Sequence, residues 1–159
     1  MKDIKQNFLD KVAFKNLNKT VLSHLFQWYI QGVNDAEDKH KQFVHIFYID
    51  NNISSNHFDI LRPLLHKLNI KNLIRIKLNL LTKTNKTIEH KYHQDSSSSN
   101  ALTSILYLNT NNGYTRFKDK KIKSKANTLI TFPSNTFHSG ATCTDEEFRL
   151  VLNIVYERY

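Results

Sequence analysis

Three side chains suited to metal binding lie in the second half of the 159-residue sequence. His93 and Asp95 belong to the tripeptide His-Gln-Asp, and His138 follows a strand-like segment at residues 127–132. In an extended chain, residues two apart point to the same side, so His93 and Asp95 can converge on one ion. An antiparallel neighbouring strand can bring His138 across to His93. The sequence therefore predicts a metal site built from two imidazoles and one carboxylate.

The His-Gln-Asp tripeptide also has an ordinary interpretation as a polar turn. The chain contains eight histidines, and a His-x-Asp sequence arises by chance often enough to be weak evidence by itself. Two imidazoles and a carboxylate on one face of a metal, however, form the facial triad of non-haem Fe(II) oxygenases, which leaves coordination positions open for co-substrates. Support from other residues of the chain decides between the two interpretations.

Arg149 gives that support. It lies eleven residues after His138, at the start of a strand-like segment whose same side continues with Val151, Asn153 and Val155. Such a face is not one that meets solvent. A guanidinium binds a carboxylate bidentately and stays charged when buried. A metal triad with this arginine predicts a site for an oxo acid that chelates iron at one end and is anchored at the other.

Helices are expected before strands along the chain. The first forty residues carry apolar side chains at helix-like spacings and end in a polar loop. Ser54 or Ser55 is a suitable cap for a second helix, in which Pro63 either produces a kink or starts a new turn. From residue 70 onward the pattern becomes that of strands. In residues 73–81, Ile76 and its apolar neighbours alternate with polar residues, which is typical of a strand with one buried face.

Further strand-like segments lie at residues 43–50, 101–109, 127–132 and 148–156. Helices followed by mostly antiparallel strands indicate an α+β domain whose sheet folds into a sandwich or a barrel. The single cysteine, Cys143, excludes an internal disulfide and suits a reducing cytoplasm. No apolar run is long enough to span a membrane. The oligomeric state is not readable from the sequence.

The net charge of +9 raises the question of a nucleic-acid partner. Lysine supplies 18 of the 23 basic residues, and the chain also contains 18 asparagines but only three glycines and two prolines. This composition is what an AT-rich genome imposes on any protein. Arginine, the residue that best reads phosphates and base edges, is scarce. A nucleic-acid partner is therefore the less favoured interpretation, although the charge leaves it open.

The order of the motifs resembles that of the 2-oxoglutarate/Fe(II)-dependent oxygenases. His-Gln-Asp is followed by Leu-Tyr-Leu-Asn, by Gly-Tyr-Thr-Arg-Phe, and by the segments at residues 126–140 and 148–156. More narrowly, the chain looks like the small prolyl-4-hydroxylase-like members found in marine phages and cyanobacteria, over roughly residues 43–156. The resemblance implies a double-stranded β-helix, which is a jelly-roll or cupin-like barrel, at residues 43–159. A helical part at residues 1–42 would pack on one sheet, within a single domain at residues 1–159.

Residue roles follow from this resemblance. His93, Asp95 and His138 match the family's iron ligands, and Arg149 matches the basic residue that pairs with the C5 carboxylate of 2-oxoglutarate. Tyr107 matches a tyrosine whose hydroxyl reaches the same carboxylate.

Three further positions match less closely. Asn153 falls where a small polar residue often faces the co-substrate pocket. Gly113 and Thr115 match residues that shape a hairpin, for which ordinary turn chemistry is the simpler interpretation.

Two departures from the family pattern concern the co-substrate site. The usual Arg-x-Ser or Arg-x-Thr is replaced by Arg149-Leu150-Val151, so one hydroxyl partner is missing. The strand before the triad lacks the tyrosine that often supports 2-oxoglutarate. Arg75, Lys77 or Asn79 either replaces that tyrosine or faces solvent.

The resemblance also implies an activity and its cofactors. These are Fe(II), 2-oxoglutarate as co-substrate and O2, with ascorbate as a possible reductant, in hydroxylation of a C–H bond that yields succinate and CO2. The substrate is a protein or peptide side chain or a small metabolite, and the polar loops at residues 34–42 and 94–100 are suited to contact it. A phage-encoded protein would act in the host cytoplasm. The alternatives are a barrel that binds a metal or ligand without catalysis, as a virion or scaffold component, and a nucleic-acid demethylase.

Two other histidines, His45 and His90, are expected to be hydrogen-bonded structural residues. Cys143 has no general base in register and is not expected to act as a nucleophile.

Overall fold

The computed structural model of the protein describes residues 3–34 and 38–159. The described part contains two α-helices, α1 and α2, eleven strands and one 3-10 turn. The helices are α1 (Lys11–Val21) and α2 (Arg62–Leu68), and the 3-10 turn is Phe58–Leu61. The strands are β1 (Asp3–Gln6), β2 (Tyr29–Gly32), β3 (Lys41–Ile49), β4 (Asn52–Ile53), β5 (Ile70–Thr82), β6 (Leu102–Tyr107), β7 (Tyr114–Phe117), β8 (Lys121–Lys123), β9 (Thr128–Pro133), β10 (His138–Gly140) and β11 (Phe148–Arg158).

The strands form two antiparallel sheets. The larger sheet has the order β1-β9-β6-β11-β5-β3-β2, with β4 paired to β3, and the smaller sheet has the order β10-β7-β8. The pair β5 and β11 is the longest ladder, and it runs from Phe148 opposite Thr82 to Arg158 opposite Ile70. These two strands therefore form the frame on which the rest of the larger sheet is built.

Alternation along β11 separates the apolar core from an internal cavity. Leu150, Leu152 and Ile154 belong to the apolar cluster that includes the buried residues of α1 and α2. Arg149 and Asn153, one step out of phase with them, line the cavity. Because successive side chains of a strand point to opposite faces, one strand serves both purposes.

The same division holds for β5, where the predicted apolar face is confirmed at Ile76, Leu78 and Leu80. Ile74 does not join this cluster. The register skips it, since Val155 lies opposite Arg75 whereas Tyr156 lies opposite Leu73. A β-bulge of this kind adds one residue to a strand and shifts the alternation beyond it.

The prediction that the first forty residues are helical is wrong outside α1. Residues before α1 form β1, an edge strand paired with β9, and residues after it form β2, an edge strand paired with β3. The helix begins where the Asp10 carboxylate accepts hydrogen bonds from the backbone N–H groups of Val12 and Ala13. It ends at Val21, and its C-cap residue Leu22 is exposed, so the apolar spacing of the sequence continues beyond the segment that packs.

The second predicted helix is present in two parts. The 3-10 turn leads directly into α2, and Pro63 lies in the first turn of α2, where its missing N–H costs nothing. Of the two possibilities for Pro63, a new helical start is therefore correct. Within the described residues, neither helix has the length and apolar character needed to cross a bilayer.

Candidate active site

A small cavity of about 80 Å³ lies between the two sheets. Its walls come from β5 and β11 of the larger sheet, from β7 and β10 of the smaller sheet, and from the segment at residues 90–95. The three predicted metal ligands and Arg149 all line it. The topology therefore brings residues that are far apart in the sequence to one enclosed site.

The three predicted metal ligands converge because their backbone segments pair. His93 and His138 form an antiparallel bridge, with N–H to carbonyl distances of 2.9 and 3.0 Å, and the N–H of Asp95 donates to Ser134 at 3.1 Å. One ligand atom from each of His93, Asp95 and His138 lies within 4.8 Å of the other two. The antiparallel approach predicted for His138 is the one observed. No described histidine, cysteine or acidic residue outside these three forms another such group.

The two imidazoles are oriented by backbone carbonyls. Nδ1 of His138 lies 3.0 Å from the carbonyl of Thr136, and Nδ1 of His93 lies 3.5 Å from that of Lys91. A carbonyl only accepts, so each Nδ1 carries a hydrogen, and Nε2 is the nitrogen that can bind a metal. Metal-bound histidines are commonly oriented in this way. Burial lowers the pKa of His93, and the neighbouring His138 adds to the effect, which favours the neutral form that binds metals.

Asp95 is held as a carboxylate by a dense set of donors. Arg75 donates to one of its oxygens at 2.8 Å, while Thr103 and Asn153 donate to the other at 3.0 and 3.1 Å. Burial pushes the pKa of Asp95 up, but His138, Arg75 and the hydrogen bond from Asn153 outweigh it, so the pKa is lowered. Asn153, predicted to face the co-substrate pocket, lines the cavity and also positions this carboxylate.

Arg149 is a buried cation that has no anionic partner among the described residues. Its side chain is enclosed, with the residue only 4% exposed, and it donates from Nε to Ser124 at 2.8 Å and from Nη2 to Thr115 at 3.0 Å. Within residues 3–34 and 38–159, no carboxylate forms an ion pair with it. Burial lowers the pKa of Arg149, although Tyr107 and Cys143 oppose this. Arg149 thus has two hydroxyl partners, although the serine or threonine that usually lies two residues after the arginine is replaced by Val151.

Tyr107 lies behind the cavity wall rather than on it. Its hydroxyl donates to the Thr115 hydroxyl oxygen at 2.8 Å, and Arg149 donates to the same oxygen. With two donors on that oxygen, the hydrogen of Thr115 remains available for a ligand in the cavity, which Thr115 lines. Burial raises the pKa of Tyr107, with Arg149 and Thr115 opposing, so the phenol stays protonated. In this structure the Tyr107 hydroxyl contacts Thr115, and its contact with the co-substrate carboxylate stays a prediction.

Gly113 has a steric role beyond the turn chemistry expected of it. A Cβ atom at this position would lie 2.6 Å from Cδ of Arg149, 2.8 Å from Oδ1 of Asn111 and 3.1 Å from the carbonyl of Ala141. A real Cβ does not approach other atoms so closely, so only glycine leaves room for the Arg149 side chain.

Three cavity-lining groups were undecided or misjudged from the sequence. For Lys77 and Asn79 the sequence allows either a supporting role in the co-substrate site or exposure to solvent. Both side chains face the cavity. His90 was expected to be hydrogen-bonded, yet both of its ring nitrogens are buried without a partner. The expectation for His45 is met, because its ring bonds to the Gln27 carbonyl and the Ser55 hydroxyl, each at 2.7 Å. In the sequence, the only signal for Lys77 and Asn79 is that polar residues alternate with core residues along β5.

The loops expected to contact substrate are described in part. Residues 35–37 of the first loop lie outside the described residues, while Gln42 at its end lines the cavity. Of the second loop, Asp95 lines the cavity and the serines do not. Cys143 is buried, which raises the pKa of its thiol and agrees with the expectation that it is not a nucleophile.

We expect Gly113→Ala to destabilise the protein by about 1–3 kcal/mol, because the added methyl group must displace Arg149 or the backbone of Ala141. Urea unfolding measures the change. Gly140→Ala is the matched control, since its Cβ would meet only Nη1 of Arg149 at 3.5 Å, an ordinary contact. Its stability should stay within about 0.5 kcal/mol of the wild type. Equal stability losses in the two variants would show that the space beside Arg149 is not the constraint.

Lys77 should make stability depend on pH in a defined direction. Burial lowers its pKa from 10.5 to about 8, with Arg75 acting in the same direction and Asp95 opposing. Between these two values the unfolded chain holds more protons than the folded chain, so the free energy of unfolding contributed by Lys77 rises with pH. Well below pH 8 the half-buried Lys77 is fully charged in the folded state, and its cost to stability is then at its largest.

In metal-free protein, Lys77→Met should therefore increase the free energy of unfolding at neutral pH, by on the order of 2 kcal/mol, and remove the rise at alkaline pH. Urea unfolding at neutral and alkaline pH tests this against Lys71→Met, the same change at an exposed position of β5. A Lys77→Met protein that is less stable than the wild type at neutral pH would contradict the expectation.

No protein-family model matches the chain, and no curated protein matches it. Solved structures do match. An oxidoreductase of the 2OG-Fe(II) oxygenase family from Burkholderia pseudomallei superposes with a TM-score of 0.71 at 14% identity, covering 99% of this chain and 85% of that one.

Two further structures superpose comparably. The epimerase SnoN, in complex with Fe3+, alpha ketoglutarate and nogalamycin RO, has a TM-score of 0.70 at 14% identity and covers 99% of this chain and 78% of its own. A prolyl hydroxylase from Trichoplax adhaerens, in complex with a peptide fragment of the hypoxia inducible factor oxygen degradation domain, has a TM-score of 0.69 at 13% identity and covers 98% and 83%. At these identities the likeness is one of fold. The predicted fold class is confirmed, and the chain has the double-stranded β-helix fold of these enzymes.

Proposed function

We propose that the protein is an Fe(II)- and 2-oxoglutarate-dependent dioxygenase that hydroxylates a C–H bond of its substrate. The observation that carries this proposal is the buried, unpaired Arg149 in the same cavity as the group of His93, Asp95 and His138. A buried cation is costly unless an opposite charge compensates it. A ligand that is anionic at one end and chelating at the other satisfies both features of the cavity.

The donor set fits Fe(II). Two imidazoles and one carboxylate are the ligands of the facial triad of non-haem iron enzymes, and they leave coordination positions for other ligands. Here the carboxylate stays ionised, since Arg75 and Asn153 donate to it, and His93 favours its neutral form. The residues that hold the triad are therefore prepared for a divalent cation before it binds.

The opposite end of the cavity fits the distal carboxylate of 2-oxoglutarate. Arg149 supplies a planar, permanently charged fork, and Thr115 supplies a hydroxyl whose oxygen is already engaged. Tyr107 and Ser124 hold these two donors in place. Tyr107 thus acts in co-substrate binding as a positioning residue, and Asn153 acts on the metal side.

With iron, 2-oxoglutarate and O2 bound, the centre supplies the oxidant for C–H hydroxylation and yields succinate and CO2. The chain's own part is to bind, orient and shield. Buried Ile105, Phe117, Phe132 and Val151 form an apolar cluster next to the cavity, and Phe132 packs edge-on against His138 with ring centroids 4.8 Å apart. Such an environment limits the access of water to the reacting groups.

The solved structures support the proposal by what they contain. SnoN was determined with Fe3+ and alpha ketoglutarate, and the Trichoplax adhaerens enzyme with a peptide. For this chain the substrate is a peptide side chain or a small metabolite. Ascorbate as reductant, cytoplasmic location and kinship with the prolyl-4-hydroxylase-like enzymes of marine phages and cyanobacteria are the accompanying proposals from the sequence.

Anaerobic protein mixed with Fe(II) and 2-oxoglutarate should give a visible metal-to-ligand charge-transfer band. We expect the band to be absent in Asp95→Ala and His138→Ala, which lack a ligand. In Arg149→Met the concentration of 2-oxoglutarate needed to reach half of the band should rise by about tenfold to a hundredfold, because a charge-assisted contact is lost. Arg62→Met, at a side chain that is 74% exposed, serves as the control and should match the wild type.

The contrary result is equally clear. A wild-type protein that gives no band, and that forms no succinate from 2-oxoglutarate in air, would contradict the oxygenase function and favour the alternative of a non-catalytic barrel.

A further inference from the structure

Two polar groups on β5, the ammonium group of Lys77 and the Oδ1 atom of Asn79, face the cavity. Lys77 forms no ion pair within the described residues, and Oδ1 of Asn79 is buried and accepts no hydrogen bond. Both line the cavity, and because they are two residues apart on one strand, they point to the same side. Neither is used by the metal triad or by Arg149.

Unsatisfied groups of this kind are uncommon in folded proteins. A buried acceptor without a donor costs about 1–3 kcal/mol, and the half-buried Lys77 ammonium loses part of its hydration. Where such groups line a cavity, a ligand that satisfies them removes the cost. Lys77 and Asn79 therefore indicate what a second ligand of this cavity must offer.

The charges around the cavity distinguish this second ligand from the co-substrate. Asp95 is paired with Arg75, at 2.8 Å, and the distal carboxylate of 2-oxoglutarate is assigned to Arg149. The proximal carboxylate of 2-oxoglutarate would be held by the metal. Of the lysine and arginine side chains that line the cavity among the described residues, Lys77 is then the one to which no anion is assigned.

The position of Lys77 supports the same separation. Along the paired strands, Lys77 lies opposite Asn153, whereas Arg149 lies opposite Leu81. These two pairs are four residues apart, or about 13 Å along the strands. Lys77 is at the metal end, next to the Asn153 amide that holds Asp95, and Arg149 is at the other end. A substrate must approach the metal end for its C–H bond to react.

We propose that Lys77 and Asn79 form a substrate subsite, and that the substrate is a small carboxylic acid bearing an amine or a hydroxyl group, such as a free amino acid or a 2-hydroxy acid. The ammonium group of Lys77 binds the carboxylate, and Oδ1 of Asn79 accepts the N–H or O–H. This inference rests on the proposed oxygenase function and names its substrate class.

The test uses anaerobic protein loaded with Fe(II) and 2-oxoglutarate. The probes are the common L-amino acids together with glycolate and L-lactate, each compared with its primary amide, which has the same shape but no carboxylate charge. A blocked proline dipeptide, acetylated at its N-terminus and amidated at its C-terminus, represents a peptide substrate. Binding near the metal is read from the change in the charge-transfer band, and succinate formed in air is the second readout.

At least one acid should bind to the wild type, with its amide binding at least tenfold more weakly. In Lys77→Met the affinity for that acid should fall at least tenfold, while the band given by 2-oxoglutarate alone is unchanged, which also shows that the variant is folded. Lys71→Met, an exposed position of the same strand, should behave as the wild type. Asn79→Leu should lower the affinity for the acid, as Lys77→Met does.

Four results overturn the subsite. In the first, none of the acids alters the wild-type band. In the second, an acid binds equally well to the wild type and to Lys77→Met. In the third, Lys77→Met weakens 2-oxoglutarate itself by tenfold or more, which would assign Lys77 to the co-substrate. In the fourth, the blocked dipeptide binds and the acids do not. Failure of the wild type to give any band is a different result, because it removes the oxygenase function and the subsite with it.

Discussion

The buried charge of Arg149 is the constraint on which the site depends. Its guanidinium is enclosed between two sheets, and the described residues offer it hydroxyl groups but no carboxylate, so an anionic ligand would lower the cost of its burial. The neighbouring residues reflect this. Gly113 leaves the space that the side chain occupies, while Thr115 and Ser124 accept its hydrogen bonds, and Tyr107 fixes Thr115 in turn.

The metal end of the cavity also depends on a buried charge, which here is negative. Asp95 is a buried anion that Arg75 and Asn153 stabilise, and the proposed metal ion beside His93 and His138 would stabilise it further. Both ends are built on the ladder of β5 and β11, whose other face is the apolar core. The alternation of those two strands thus couples a stable core to a polar cavity, and it lets the fold tolerate charges that would be unfavourable elsewhere.

Sequence reasoning recovered the residues whose type and order are distinctive, and it missed those defined only by location. The triad and Arg149 were found because few arrangements use those residue types in that order. Strand β1 was missed because all four of its residues are exposed, so no apolar alternation marks it and only pairing with β9 defines it. Lys77 and Asn79 stayed ambiguous because a period of two separates one face from the other but does not tell a cavity from solvent.

Titration calorimetry of the Mn(II)-loaded protein with 2-oxoglutarate and with glutarate tests the central claim most directly, because glutarate keeps both carboxylates but lacks the chelating oxo group. The account predicts that 2-oxoglutarate binds at least about tenfold more tightly than glutarate when Mn(II) is present. Without metal the two should bind alike, and Arg149→Met should weaken both. Equal affinities for 2-oxoglutarate and glutarate in the presence of Mn(II) would contradict a site that joins a metal triad to a buried arginine. Affinities that Arg149→Met leaves unchanged would contradict it as well.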